Sequence, residues 1–440
     1  MDILIKVLQF FMSLTILVAI HEFGHFIVAR LFKIRVEKFY IFFDAGFALW
    51  KKKWGDTEYG LGWLPLGGYC KIAGMVDESM DTEQLAQAPQ PWEYRAKPAW
   101  QRFLVLAAGV TMNVILAFFI YCGISFSYGK KYVANEDMIY GYEFSQSAEQ
   151  LGFQDGDRIV AIGGDKIVDA ASIRSKIFLA KEECEVEVIR GGEAHTFTLN
   201  NEVLNAIRND GKLETEYLCE PLMPFVVDSI RLATAAEAGL QKGDHIVGLN
   251  GEELRYINYF LPKFKELKGK SVELQVLRGE EPLTINVALN ENGELGVVTA
   301  PFFEVRSEKY GFFESIPAGA RLTARTIKNY WDQLVLIVKP DNGLYKQVGG
   351  FISIGNIFPS EWNWHQFWSM TAFLSIILAI MNIIPIPGLD GGHMMFTFWE
   401  MITGRKVSDK VLEIAQYIGM ALILALVLFA NGNDIYRLFQ

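Results

Sequence analysis

The chain has 440 residues, 51% of them apolar, and a mean hydropathy of +0.18, which places it among membrane proteins rather than ordinary soluble ones. A net charge of −10 argues against nucleic acid as a partner. The four cysteines (Cys70, Cys122, Cys184, Cys219) show no C-x-x-C spacing, which argues against a cysteine metal site or a disulfide framework; Cys184 and Cys219 would pair only in a shared oxidising compartment.

Ile3 to Ile20 is almost continuously apolar, and residues 3–28 read as a first membrane helix. The run ends in His21-Glu22-Phe23-Gly24-His25 where a secretory signal would need a small-residue cleavage site. Two imidazoles four residues apart share one helix face and can grip one zinc ion. Glu22 stands where it can take a proton from water. An ionisable group at membrane depth costs roughly 2.5–3.5 kcal/mol on insertion scales and marks function by default. Arg30, Lys33, Arg35, Lys38 and Lys51 to Lys53 crowd the C-terminal side, so that end is expected in the cytoplasm and the N-terminus outside.

Val36 to Trp50 and Tyr59 to Ile72 are rich in aromatic and β-branched residues with glycines between them. They read as strands joined by turns, or as an ordinary cytoplasmic hairpin. Asp77 to Pro91 reads as a mobile polar linker. Residues 103–126 form the expected second membrane helix, in which Ala107, Ala108 and Gly109 permit close helix approach. Asn113, its lone amide, either hydrogen-bonds near the histidine pair or ties two helices together.

After Lys131 the composition turns soluble and a repeat appears. Gly152-Phe153-Gln154-Asp155-Gly156-Asp157-Arg158-Ile159-Val160 recurs as Gly239-Leu240-Gln241-Lys242-Gly243-Asp244-His245-Ile246-Val247. Each copy continues to a strand ending in Arg-Gly (Arg190-Gly191, Arg278-Gly279), which marks duplicated modules. The pattern resembles PDZ domains, expected over 127–215 and 216–305, small β-rich modules that bind a peptide end along a sheet edge. A space-filling pair is the plainer alternative. His195 and His245 read as surface or loop histidines.

From Tyr310 to Val338 apolar residues fall at helical intervals. This fits an amphipathic helix on the outer membrane surface, or a buried one, within a juxtamembrane segment 306–360. Gly349 to Gly355 reads as a flexible connector, and Trp362, Trp364 and Trp368 as an interfacial belt that includes His365. In the last segment, 361–440, Phe367 to Ile384 is the third expected membrane helix and Ile414 to Ala430 the fourth. Between them, Asn382-Ile383-Ile384-Pro385-Ile386-Pro387-Gly388-Leu389-Asp390-Gly391-Gly392 breaks the helix. Broken backbone at membrane depth survives only beside protein or a watery cavity. Asp390 is thus a credible third ligand, or else a cap at a helix boundary. By the topology inferred from basic residues it falls on the same side as His25. His393 is a spare ligand or, better, a residue that supports the ligands from behind or packs.

Together, the histidine pentad and Asn382-x-x-Pro385-x-x-x-Leu389-Asp390-Gly391 resemble the site-2 protease family of intramembrane zinc metalloproteases. The likeness is strongest to its bacterial regulator-of-sigma-E branch with two PDZ domains. Pro65-Leu66-Gly67-Gly68-Tyr69, Trp100-Gln101-Arg102 with Asn113, and the double insert extend it over nearly the whole chain. Val110 and Phe351 depart from it, where relatives often carry Pro after Gly. The resemblance implies that His21, His25 and Asp390 bind zinc, Glu22 is general base and Asn382 helps position substrate. It implies a sheet dipping into the membrane beside the site and holding substrate extended.

The expected architecture is a four-helix membrane protein (the first two spans and the β-region within residues 1–126) with two periplasmic inserts, in a bacterial inner membrane. Its substrates would be single-pass membrane proteins already cut outside, such as anti-sigma factors or leftover signal peptides. The inserts would act as a size filter, or alternatively recruit substrate. A zinc transporter and a catalytically silent PDZ scaffold are the rival classes.

Overall fold

Residues 2–64, 67–75, 88–209, 217–300, 302–339 and 344–439 are described by the structure, a computed structural model. Pro65, Leu66 and most of the expected linker lie outside the described residues. The chain divides into two compact units, Met1–Lys130 with Lys309–Val338 and Tyr345–Gln440, and Lys131–Glu308 with Lys339–Leu344.

In the first unit, four helices are long and apolar enough to cross a membrane. Helix α1 (Asp2–Leu31) turns one stripe inward: Gln9, Ser13, Leu17, His21, His25 and Ala29, each four residues from the last, are all buried. Helix α2 (Ala99–Tyr128) answers with Val105, Gly109, Asn113, Ala117 and Tyr121 at the same spacing. Residues four apart fall on one face of a helix, so the two stripes can run along each other. Between these helices the chain forms β1 (Val36–Ile41), β2 (Phe43–Trp54), β3 (Thr57–Leu64) and β4 (Tyr69–Ile72). They make one sheet in the order β2-β3-β1-β4, so the strand reading prevails over a simple hairpin. β1 and β3 pair in parallel, Lys38 with Glu58 through Ile41 with Leu61. Val36 and Ile72 join Ala29, Ile34, Val105 and Leu106 in one buried cluster that fixes the sheet to the C-terminal end of α1 and the N-terminal part of α2.

Helix α3 (Phe312–Val338) packs one face against α2. It runs antiparallel beside α2: Phe312 meets Phe126, Gly319 lies against Cys122, and Thr326 donates to the Tyr121 hydroxyl at 3.3 Å. The expected connector around Phe351 forms a short helix, α4 (Phe351–Asn356), because Asp434 and Asn431 side chains accept its free first-turn N–H groups. Helix α5 (Trp364–Ile383) is the third span. The sequence did not anticipate α6 (Asp390–Thr403), which precedes the last span, α7 (Asp409–Leu438).

The second unit contains two modules with the same strand order. Across the first sheet run Asp165–Lys166, Arg158–Ile162, Glu185–Arg190 and Glu193–Thr198; across the second, Glu252–Glu253, His245–Leu249, Ser271–Arg278 and Glu281–Ala288. Each has its own apolar core, built around Phe153, Ile159 and Val186 in one and Leu240, Ile246 and Leu274 in the other. The recurring Gly-Asp and Arg-Gly signatures meet in space. Arg190 grips Asp157 through Nε and Nη2, both at 2.7 Å, and donates to the Gly152 carbonyl at 3.2 Å. Arg278 repeats this on Asp244 at 2.8 and 2.9 Å and on Gly239 at 2.7 Å. The repeat thus records a structural staple, since a buried carboxylate needs a paired, hydrogen-bonded cation. Leu218 and Cys219–Pro221 pack with the first module, where 216 was the expected start of the second. Cys184 and Cys219 are free thiols.

Candidate metal centre

Side chains from two helices of the first unit, α1 and α6, converge on one point. His21 and His25 project from α1 a turn apart, and their Nε2 atoms approach to 3.2 Å. Asp390, at the first position of α6, points its Oδ2 at the same spot, 3.1 Å from His21 Nε2 and 3.3 Å from His25 Nε2. Among the described residues these three form a group whose ligand atoms all lie within 4.8 Å of one another. Both imidazoles are buried.

The backbone that brings them together depends on absent side chains. A Cβ on Gly24 would lie 2.5 Å from the Ala108 carbonyl oxygen, so that glycine lets α1 touch α2. A Cβ on Gly109 would lie 2.7 Å from His21 Cε1 and 2.8 Å from His25 Cε1, so that glycine makes room for the imidazoles themselves. After α5 the chain turns through Pro385, Pro387 and Gly388, whose φ of +98° favours glycine. Gly391 and Gly392 let α6 start hard against that turn: a Cβ on either would come within 2.6 Å of Ile383 C or Pro387 Cα. Arg102, from the Trp100-Gln101-Arg102 stretch, pairs with Glu400 and so ties the start of α2 to α6, the helix that carries Asp390.

The rings are held from behind as well. His25 Nδ1 donates to the Val105 carbonyl at 2.9 Å; a carbonyl only accepts, so Nδ1 carries a proton and Nε2 is the nitrogen left to act as a ligand. His21 Nδ1 lies 3.1 Å from the Asn113 amide. Asn382, near the end of α5, brings its amide nitrogen to 3.5 Å from His21 Nε2. Glu22, next to His21 on α1, is half-buried. His393 does not belong to the donor group, and its partner is the Gln416 side chain. His365 packs its ring against Tyr128 at 4.6 Å.

Two imidazole nitrogens and one carboxylate oxygen, with no fourth His, Cys, Asp or Glu in the group among the described residues, suit a zinc site that keeps one position open. Sequence comparison decides the lineage: the family model described as Peptidase family M50 matches residues 9–426. The chain belongs to peptidase family M50. It is therefore a metalloprotease and an integral membrane protein. It is 30% identical over 460 residues to the regulator of sigma E protease of Haemophilus influenzae, covering 98% of each chain. It is 29% identical over 462 residues to protease RseP of Yersinia pestis, covering 100% of each. A Vibrio cholerae protein carrying a zinc-metalloprotease name is 30% identical over 468 residues, covering 99% of this chain and 100% of that one.

Two features of this cluster escaped the sequence. Gly109 read only as a helix-packing residue, and nothing local says that imidazoles face it. Val105 gave no signal, because its contribution is a backbone carbonyl.

Proposed function

We propose that the chain is an intramembrane zinc endopeptidase. It hydrolyses peptide bonds in the transmembrane segment of single-pass membrane proteins already trimmed outside, of the anti-sigma-factor type, or in remnant signal peptides. The observation that carries this is the convergence of His21, His25 and Asp390 on one point between α1 and α6. In this proposal the two Nε2 atoms and the Asp390 carboxylate hold the metal. Bound there, zinc supplies Lewis acidity, polarising the scissile carbonyl and lowering the pKa of water to near ~7.

The rest is done by the chain. The Glu22 carboxylate takes the proton from the attacking water and passes it to the departing amine nitrogen. Asn382 positions the substrate beside His21. The β1–β4 sheet, whose edge strands are β2 and β4, holds the substrate extended by strand addition, which frees peptide bonds that a helix would hide. The basic residues after α1 support a site near the cytoplasmic face. The two soluble modules are PDZ domains on the periplasmic side of the bacterial inner membrane. There they exclude substrates with bulky outer domains.

Glu22→Gln in the full chain tests the reading. It keeps zinc and loses about 10²–10⁴-fold in cleavage of a membrane substrate, the usual contribution of a general base. Full proteolysis with zinc retained overturns the role of Glu22. Zinc flux into proteoliposomes without proteolysis would favour a transporter instead.

A further inference from the structure

The two imidazoles are supported unequally. His25 is backed by a carbonyl, which settles its tautomer; His21 is backed by an amide, which can donate or accept. Asn113 is 0% exposed, its Nδ2 lies 3.1 Å from His21 Nδ1, and its Oδ1 is buried without a hydrogen-bond partner. The tie between helices runs through its backbone carbonyl, which accepts from Ser375 Oγ at 2.7 Å, so the helix contact does not need the side chain. Among the described residues, the hydrogen bond of that side chain goes to His21.

The amide's orientation decides what His21 can bind. With Nδ2–H donating to Nδ1, the ring proton sits on Nε2, where it faces Asp390 Oδ2 at 3.1 Å. With its proton there, Nε2 offers no lone pair to a metal. Turned over about its Cβ–Cγ bond, the amide presents Oδ1 to Nδ1–H at nearly the same place, and Nε2 becomes bare. No backbone has to move, because the two amide atoms are almost the same size.

We propose that Asn113 is the positioning residue that makes His21 a ligand: its Oδ1 accepts the Nδ1–H of the ring when metal is held, fixing the tautomer and the ring plane. This rests on the zinc reading above. It accounts for a lone amide in an apolar helix by something Ala or Leu cannot supply, an acceptor aimed at the outer nitrogen of the ring. Second partners of ligating histidines typically change metal affinity by about 10–100-fold.

The test uses the full chain in detergent and titrates zinc against a chelator, with the absorption bands of the cobalt-substituted protein as a second readout. Asn113→Leu keeps the shape but not the acceptor, and its zinc affinity falls by about 10–100-fold with altered cobalt bands. Asn113→Asp can only accept when ionised, so it stays close to wild type in both readouts. Wild-type affinity in Asn113→Leu overturns the inference alone. So does an equal loss in Asn113→Asp, which would mean that the ring needs a donor. A wild-type chain that binds no zinc overturns the metal reading and this inference with it.

Discussion

The soluble unit buries two aspartates and the membrane unit half-buries Asp390, and they answer the charge by different means. Asp157 and Asp244 are 0% exposed, and each is clasped by two nitrogens of one arginine. Arginine is always charged, so that arrangement is complete within the chain. Asp390 faces two imidazole nitrogens instead, at 3.1 and 3.3 Å. The Val105 carbonyl accepts the proton of the far His25 nitrogen, which turns the near nitrogen toward Asp390. The same residue type is therefore a staple in one unit and part of a socket in the other. What separates them is whether the chain supplies the cation.

The largest effect that sharpens this contrast is on folding. Arg190→Met leaves Asp157 buried without its cation and destabilises the first module by about 3–5 kcal/mol, while zinc content stays as in wild type. Hydrogen exchange over residues 158–198 reads the first outcome and elemental analysis the second. Equal loss in both units would break the contrast. Next comes Gly109→Ala, whose new methyl group presses on both imidazoles. Overpacking of about 1–3 kcal/mol, taken up at the site, lowers zinc affinity about 5- to 150-fold and leaves the soluble modules unchanged. A wild-type affinity would mean that the rings have room to move.

The smallest effect is a pH dependence. Burial opposes ionisation of Asp244, but the Arg278 guanidinium and the Gln241 N–H overcome it and hold the carboxyl below its ordinary range. The stability this contributes is complete above the ordinary carboxylate value, about pH 4, and is lost as pH falls through the lower folded value. The second module of the wild type therefore weakens on acidification below about pH 4, and Arg278→Met flattens that acid limb. An acid limb of the same steepness in the variant would show that the staple contributes nothing.

Much of the site was legible because its parts are local. The histidine pair needs only the helical period, and the Pro and Gly residues before Asp390 announce a break at membrane depth. The four spans were legible for the same reason, each a long apolar run. Helix α6 was not, because Asp390-Gly391-Gly392 opens with two poor helix formers; Gly391 and Gly392 are there to let the helix abut the turn behind it. The parallel pairing of β1 with β3 was hidden too, since no local pattern says which strand a segment will choose. The repeat was visible as a recurrence, but its meaning lay in Arg190 and Arg278 folding back over more than thirty residues to reach Asp157 and Asp244.

The claim on which everything else depends is that side chains from α1 and α6 hold a single metal. Zinc content per chain, measured on the purified full-length protein and on Asp390→Ala, tests it most directly. One zinc per chain in the wild type, and none retained by the variant with its modules still folded, is the predicted result. Undiminished zinc in Asp390→Ala would contradict it.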